Sequence, residues 1–228
     1  MSKKRVKEEL EQDVLLETFS KAQSFYDQNK NNIIGAAIAA IILIGGSVGY
    51  YYYAEAQESE AQQLMGQATQ AYLQGNYDEA LNGSDADFTV GFDQIINNYS
   101  MTDAANLAHY YAAVSAFKLG NSQQALSYIQ NYDVPSGIMG VGPLSFHSTI
   151  HTELGNHAQA AELYVKAAEW DINESTTPYN YLEAANAYHD ASDKEKAQQY
   201  AQKIIDEYDS SSQVTEAKKL LSMLAVSR

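Results

Sequence analysis

His147 and His151 stand four residues apart in "FHSTIHTELGNH", and His157 follows beyond a glycine. Two imidazoles one helical turn apart can hold a zinc ion or pass a proton. A zincin places a glutamate directly after the first histidine as the base, whereas Ser148, Thr149 and Ile150 separate this pair. The positions therefore read as a packed, hydrogen-bonded pair, with a metal-using hydrolase as the distant alternative. Little else points to a reaction. The chain has no cysteine, no Gly-rich phosphate loop and no nucleophile elbow, and its carboxylates do not stand as a tuned acid–base pair. The expectation is a protein that is not an enzyme, with no cofactor and no small-molecule substrate.

The acidic residues are better read as a solvated face. Of the 228 residues, the first thirty carry six basic and six acidic side chains, which cancel. No lysine or arginine then occurs until Lys118, and residues 54–228 hold 23 acidic against 8 basic residues, the whole of the net charge of −15. A body of this sign repels phosphates, so nucleic acid is not an expected partner.

Between Lys30 and Glu55 runs an uncharged stretch, "NNIIGAAIAAIILIGGSVGYYYYA". A helix over 31–53 matches the hydrocarbon core of a bilayer, about 30 Å at about 1.5 Å per residue. Tyr50, Tyr51, Tyr52 and Tyr53 suit neither a soluble helix stripe nor an alternating strand, because they point in every direction. At a membrane–water boundary every side of a helix meets headgroups, and a ring with a polar tip fits all four positions. The run is too long, and begins too far into the chain, for a cleaved signal peptide, so an uncleaved signal anchor is expected. Lys21 and Lys30 precede it, while Glu55, Glu58 and Glu60 follow, which predicts a cytoplasmic N-terminus. In a diderm bacterium this is a single-pass inner-membrane protein with its large C-terminal part in the periplasm.

Two lesser patterns accompany the anchor. Gly35–Ala39 and Gly45–Gly49 are each four apart, spacing that admits a neighbouring helix or simply faces lipid. In the tail, residues 1–30, Leu10, Val14, Leu15, Phe19, Ala22, Phe25 and Tyr26 recur at three- and four-residue steps, as on an amphipathic helix that contacts the bilayer or a partner.

Residues 54–228 repeat. "GNYDEAL" at 75–81 returns as "GNSQQAL" at 120–126, "GNHAQAA" at 155–161 and "SDKEKAQ" at 192–198, with starts 45, 35 and 37 residues apart. Each phrase sits between two helical stretches. The pattern resembles the tetratricopeptide repeat, in which small residues of paired helices meet. The matching positions are Ala68, Ala113, Ser148 and Ala185 in the first helices and Ala80, Ala125, Ala160 and Ala197 in the second. Gly75, Gly120 and Gly155 occupy the turns, and Ser192 is the exception, where a strained or differently shaped turn is expected. "NGSDADFTVG" (82–91) interrupts the second helix of the first repeat, and "DVPSGIMGVGP" (133–143) reads as a connector. Thr177 is the expected N-cap of a helix with Pro178 at its first position, and 212–227 reads as a closing helix. The resulting expectation is an all-α chain: one transmembrane helix followed by a tetratricopeptide α-solenoid of four repeats plus a capping helix.

The order of parts is similar to one bacterial family, the tetratricopeptide ancillary subunits of the SecYEG translocon. The resemblance lies in "FYDQNKNNIIGAAIAAIILIGGSVGYYYYAEAQ" at 25–57, then "AQQLMGQATQAYLQGN", then the repeats. It implies a non-enzymatic adaptor beside the Sec channel, whose repeats recruit a periplasmic chaperone or touch emerging secretory chains. A membrane-anchored scaffold for another envelope complex, in envelope assembly or cell division, is the competing reading. Candidate contact residues are Gly45 and Gly49 in the anchor and Tyr110, Val114, Phe117, Thr149 and Asn186 on the inner positions of the repeats. Ser145, Thr152, Leu182 and His189 share those inner positions, and Lys118 is the only basic residue near them, so a carboxylate clamp is not expected. Packing within the stack is an equal explanation for Tyr110 and Phe117.

Overall fold

A computed structural model describes residues 3–84, 86 and 88–226, with side chains from Val14 onward. The side chain of Leu10, in the tail pattern, and two residues of the 82–91 insertion, Asp85 and Asp87, lie outside these. Ten helices and a single bridge, Ser84 with Thr89, make up the regular structure of the described residues. Contacts divide the chain into Met1–Glu55 and Ala56–Arg228.

The first unit is helical throughout its described residues, as the greater part of α1 (Lys3–Leu73). By length and composition this helix can cross a membrane, and none of its apolar window is buried by protein. Ser47 is the one hydroxyl among the apolar residues of 33–49, and its Oγ donates to the Leu43 carbonyl at 2.8 Å, which satisfies it without water. All four tyrosines at 50–53 are exposed, as a belt requires. In the tail Val14, Leu15, Phe19, Phe25 and Tyr26 are exposed too.

The second unit begins with the last turns of α1 and continues through α2 (Tyr77–Asn82), α3 (Phe92–Asn98), α4 (Asp103–Lys118), α5 (Ser122–Ile129), α6 (Ile138–Glu153), α7 (His157–Trp170), α8 (Thr176–Asp190), α9 (Lys194–Glu207) and α10 (Val214–Val226). From α4 onward each helix packs on the next in sequence. The core has two clusters. One joins Ala61, Met65 and Ala68 of α1 to Phe92, Ile95, Ala112 and Ala125, and the other joins Ala160 and Tyr164 to Tyr181, Ala197, Ile204 and Leu224.

All eight small positions of the paired helices are buried, each no more than 1% exposed. Alanine and serine there let the backbones approach closely, and the aromatic rings fill the space between. The four turns share one hydrogen-bond pattern. Gly75, Gly120, Gly155 and Ser192 each donate to a carbonyl three residues back, and the next residue donates to one five back. The glycines have φ of 82°, 82° and 74°.

Ser192 decides between the two expectations for the fourth turn: it has the same shape as the others, and Ser192 itself adopts φ 63°, so the turn is strained rather than reshaped. Its neighbours impose the left-handed conformation that its side chain disfavours. Asp193 supplies a partial compensation absent from the other turns, accepting the Lys196 amide at 3.1 Å as N-cap of α9. Ser192→Gly is therefore expected to stabilise the second unit by about 0.5–1 kcal/mol, the left-handed penalty less the added entropy of the unfolded chain. The urea midpoint followed by Trp170 fluorescence checks this, and a lower midpoint would refute it.

Two helix starts also differ from expectation. The 133–143 segment is a connector only as far as Gly137, because α6 begins at Ile138 and takes in Pro143. Gly140 is required there by close approach: an added Cβ would collide with the Pro135 carbonyl and the Trp170 ring. The Trp170 indole donates to that carbonyl at 2.9 Å and fixes the connector against α7. At α8, Thr177 is not the N-cap. The helix begins at Thr176, and the free amides of Ser175 and Thr176 donate to Asn173 Oδ1 at 2.9 and 2.8 Å. Thr177 is fully buried instead, its hydroxyl donating to the Ala168 carbonyl at 3.1 Å and accepting the Asn173 amide at 2.9 Å.

Candidate functional site

Three helices that begin a hairpin, α4, α6 and α8, each leave one stripe uncovered. On α8 every residue from Thr177 to Tyr188 is buried except Tyr179, Glu183 and Asn186, which are spaced four and three apart. On α6 the corresponding stripe is Ser145, Thr149 and Thr152. On α4 it is Leu107, Tyr110 and Phe117, with Val114 between them but only 8% exposed.

The stripes are linked by contacts. Tyr110 meets Phe146 edge-on at 6.1 Å and Phe117 meets the same ring at 5.4 Å, which joins α4 to α6. Tyr110 also leans on Tyr132 at 5.6 Å. Ser145 Oγ bonds to Asn180 Oδ1, which joins α6 to α8. The Thr149 hydroxyl donates to the Ser145 carbonyl at 3.0 Å and lies 3.0 Å from the Tyr164 hydroxyl of α7. Tyr110 and Phe117 pack against neighbouring rings and Val114 is buried, while Tyr110, Phe117, Thr149 and Asn186 each keep part of their surface. The face grades from rings on α4 through hydroxyls on α6 to a carboxylate and an amide on α8.

Glu183 is the member that the sequence did not single out. It is half-buried, its burial raises its pKa above the usual carboxylate value, and it forms no ion pair or hydrogen bond among the described residues. Only its position on the α8 stripe, one turn beyond Tyr179, could have marked it.

The histidines are brought together differently from expectation. His147 and His151 stack with ring centroids 5.1 Å apart rather than hydrogen-bonding. His151 Nδ1 lies 3.4 Å from the Asn156 amide, while His147 Nε2 and His157 Nδ1 are buried without a partner among the described residues. Burial, then His151 and then Lys166, lowers the His147 pKa to about 4. Burial lowers that of His151 as well. Such rings are neutral at neutral pH. No group of three His, Asp or Glu side chains suited to a metal ion occurs among the described residues.

In the anchor, a Cβ built on Gly45 or Gly49 would meet nothing within 4 Å. The protein's own contacts therefore do not demand glycine there. Gly45-Gly46-Ser47-Val48-Gly49 matches the letters G-x-S-x-G, but it lies inside α1 rather than at a strand-to-helix turn and so forms no nucleophile elbow.

Glu58 has a role that its place among the acidic flank concealed. Its carboxylate accepts the Asp103 amide at 2.7 Å and the Ala104 amide at 3.2 Å, while Thr102 Oγ1 accepts that of Ala105 at 3.0 Å. Three free amides of the α4 N-terminus are thereby satisfied, and the charge suits the positive end of the helix dipole. A partner 45 residues away leaves no local signature. No family model matches the chain, and no curated protein matches it.

Proposed function

We propose that this protein is a non-enzymatic, membrane-anchored adaptor of the Sec translocon, in which a tetratricopeptide-type stack faces the periplasm and meets a chaperone or an emerging secretory chain. What carries the reading is the order of parts: one uncovered apolar helix, then buried small-residue pairs joined by four equivalent turns. The basic residues before the span and the acidic body after it support an N-in, C-out orientation. The resemblance of 25–57 and of the repeats to the translocon's ancillary subunits supports the choice of partner. An anchored scaffold for another envelope complex shares all of these features except that resemblance.

Photo-crosslinking in native membranes separates the two. Probes replace Gly45 and Gly49 in the anchor and Thr149 and Asn186 on the uncovered stripes. Capture of a Sec subunit from the anchor, and of a periplasmic chaperone or a translocating chain from the stripes, is the expected result. If neither set captures any of these, the translocon assignment fails and the scaffold reading replaces it.

A further inference from the structure

We infer that the α4–α6–α8 face takes an extended polypeptide segment and holds one of its Lys or Arg side chains at Glu183, with an apolar side chain seated toward Tyr110 and Phe117. The inference rests on the adaptor reading only in that another polypeptide reaches this face.

The carboxylate comes first. Taking a charge part-way out of water is unfavourable unless a counter-charge or donors compensate it. Glu183 has neither among the described residues. Its neighbours include the phenols of Tyr164 and Tyr179, which lie close enough for the carboxylate to help burial raise the pKa of both. A phenol ring beside a carboxylate makes a seat for a cation, since the ring face attracts it and the carboxylate pairs with it.

The protein's own cations are engaged elsewhere. Lys166 lies over Trp170 at 5.5 Å, Lys203 over Tyr181 at 4.7 Å, and Lys196 over Tyr188 at 4.8 Å while also meeting Asp193 at 3.6 Å. Lys219 pairs with Glu216 at 3.3 Å. Half of the eight basic residues beyond the anchor are thus absorbed by rings and local acids, and none of these four is aimed at Glu183. Among the described residues no cation pairs with Glu183, and an acidic body draws in one carried by a partner.

The rest of the face argues for a polypeptide over a small polyamine. Rings on α4 and hydroxyls on α6 offer an apolar seat and main-chain hydrogen bonds in line with the carboxylate. Two helix spacings from α4 to α8 come to about 20 Å, which an extended chain covers in about six residues.

The test uses the full chain in detergent micelles and a short unstructured fluorescent peptide of glycine, serine, phenylalanine and lysine. A second peptide has glutamate for every lysine. The lysine peptide is expected to bind in a salt-sensitive way, and the glutamate peptide not to bind. E183Q should weaken the lysine peptide about tenfold or more, the scale of a charge-assisted contact. E195Q, an exposed acid on α9, should have little effect. N186K places a cation one turn from Glu183 and should abolish binding by occupying the site. Equal binding of both peptides, or equal loss in E183Q and E195Q, overturns the inference. Helicity and Trp170 emission confirm that each variant is folded. Peptide selectivity without crosslinking to Sec components sinks only the adaptor reading. Crosslinking without selectivity sinks only this one.

Discussion

Replacing Ala160 with leucine is expected to lower the stability of the Ala56–Arg228 unit by about 1–3 kcal/mol, the usual cost of forcing extra methylenes into a filled core. Ala160 has no exposed surface, lies at the start of α7 and belongs to the cluster containing Tyr164, Ala185 and Tyr188. Added volume there has to part α7 from its neighbours. Ala125 holds the same place in the other cluster, against Ala112 and Ala113, so A125L should behave alike. For a unit of this size the fall corresponds to roughly 2–4 °C in Tm for each kcal/mol. A158L, two residues earlier and exposed, is the control and should be near neutral. Melting curves followed by helicity distinguish the cases. If A160L and A158L melt together, the close pairing of α7 is not what the small residue serves.

Acidification supplies the second large effect. His147 has a folded pKa of about 4, below the value near 6.5 expected when unfolded. Between those limits the unfolded chain binds more protons, so stability is fully present above pH 6.5 and is lost as the pH falls towards 4. The loss from this one ring should be about 2 kcal/mol, allowing for the solvent that reaches a half-buried group. His151 and His109, also lowered by burial, act in the same direction. Glu183 opposes them, because its raised pKa means the folded state takes up a proton more readily. H147Q keeps a polar side chain of similar length without the titration, and its stability should fall less steeply with acid than that of the wild type. Trp170, the only tryptophan, sits on α7 with Lys166 over its ring and reports unfolding of this region directly. Parallel pH profiles for the two proteins would show that His147 is not responsible.

Features set by local geometry are legible in the sequence. A turn needing positive φ restricts the residue type, so Gly75, Gly120 and Gly155 mark the hairpin tips. A close helix contact restricts volume, so Ala80, Ala113, Ala125 and Ala160 mark the buried seams. An uncharged helix ending in four tyrosines is equally local. Features set by distant partners were not legible. Thr177 looked like a cap because it precedes a proline, but the amides of that turn go to Asn173, and Thr177 is drawn inward to Ala168. Gly and Pro in 138–143 looked like a connector, yet the Trp170 ring, far along the chain, selects the glycine at 140 and the helix proceeds around it. The stacking of His147 on His151 and the isolation of Glu183 likewise depend on what packs beside them, which spacing alone does not encode.

The unbroken course of α1 bears on what Glu58 can do. Residue 58 lies far from either end of a helix running from Lys3 to Leu73, so its backbone is held by complete turns on both sides. In a chain cut to begin at Ala56 the same carboxylate would fall in the opening turn, where amides lack partners and fraying is greatest. The clasp on Asp103 and Ala104 would then have to be made by a side chain whose own backbone is melting. A chain so shortened should therefore show its first added amide exchange with solvent at Asp103 and Ala104, 45 and 46 residues along the chain from Glu58.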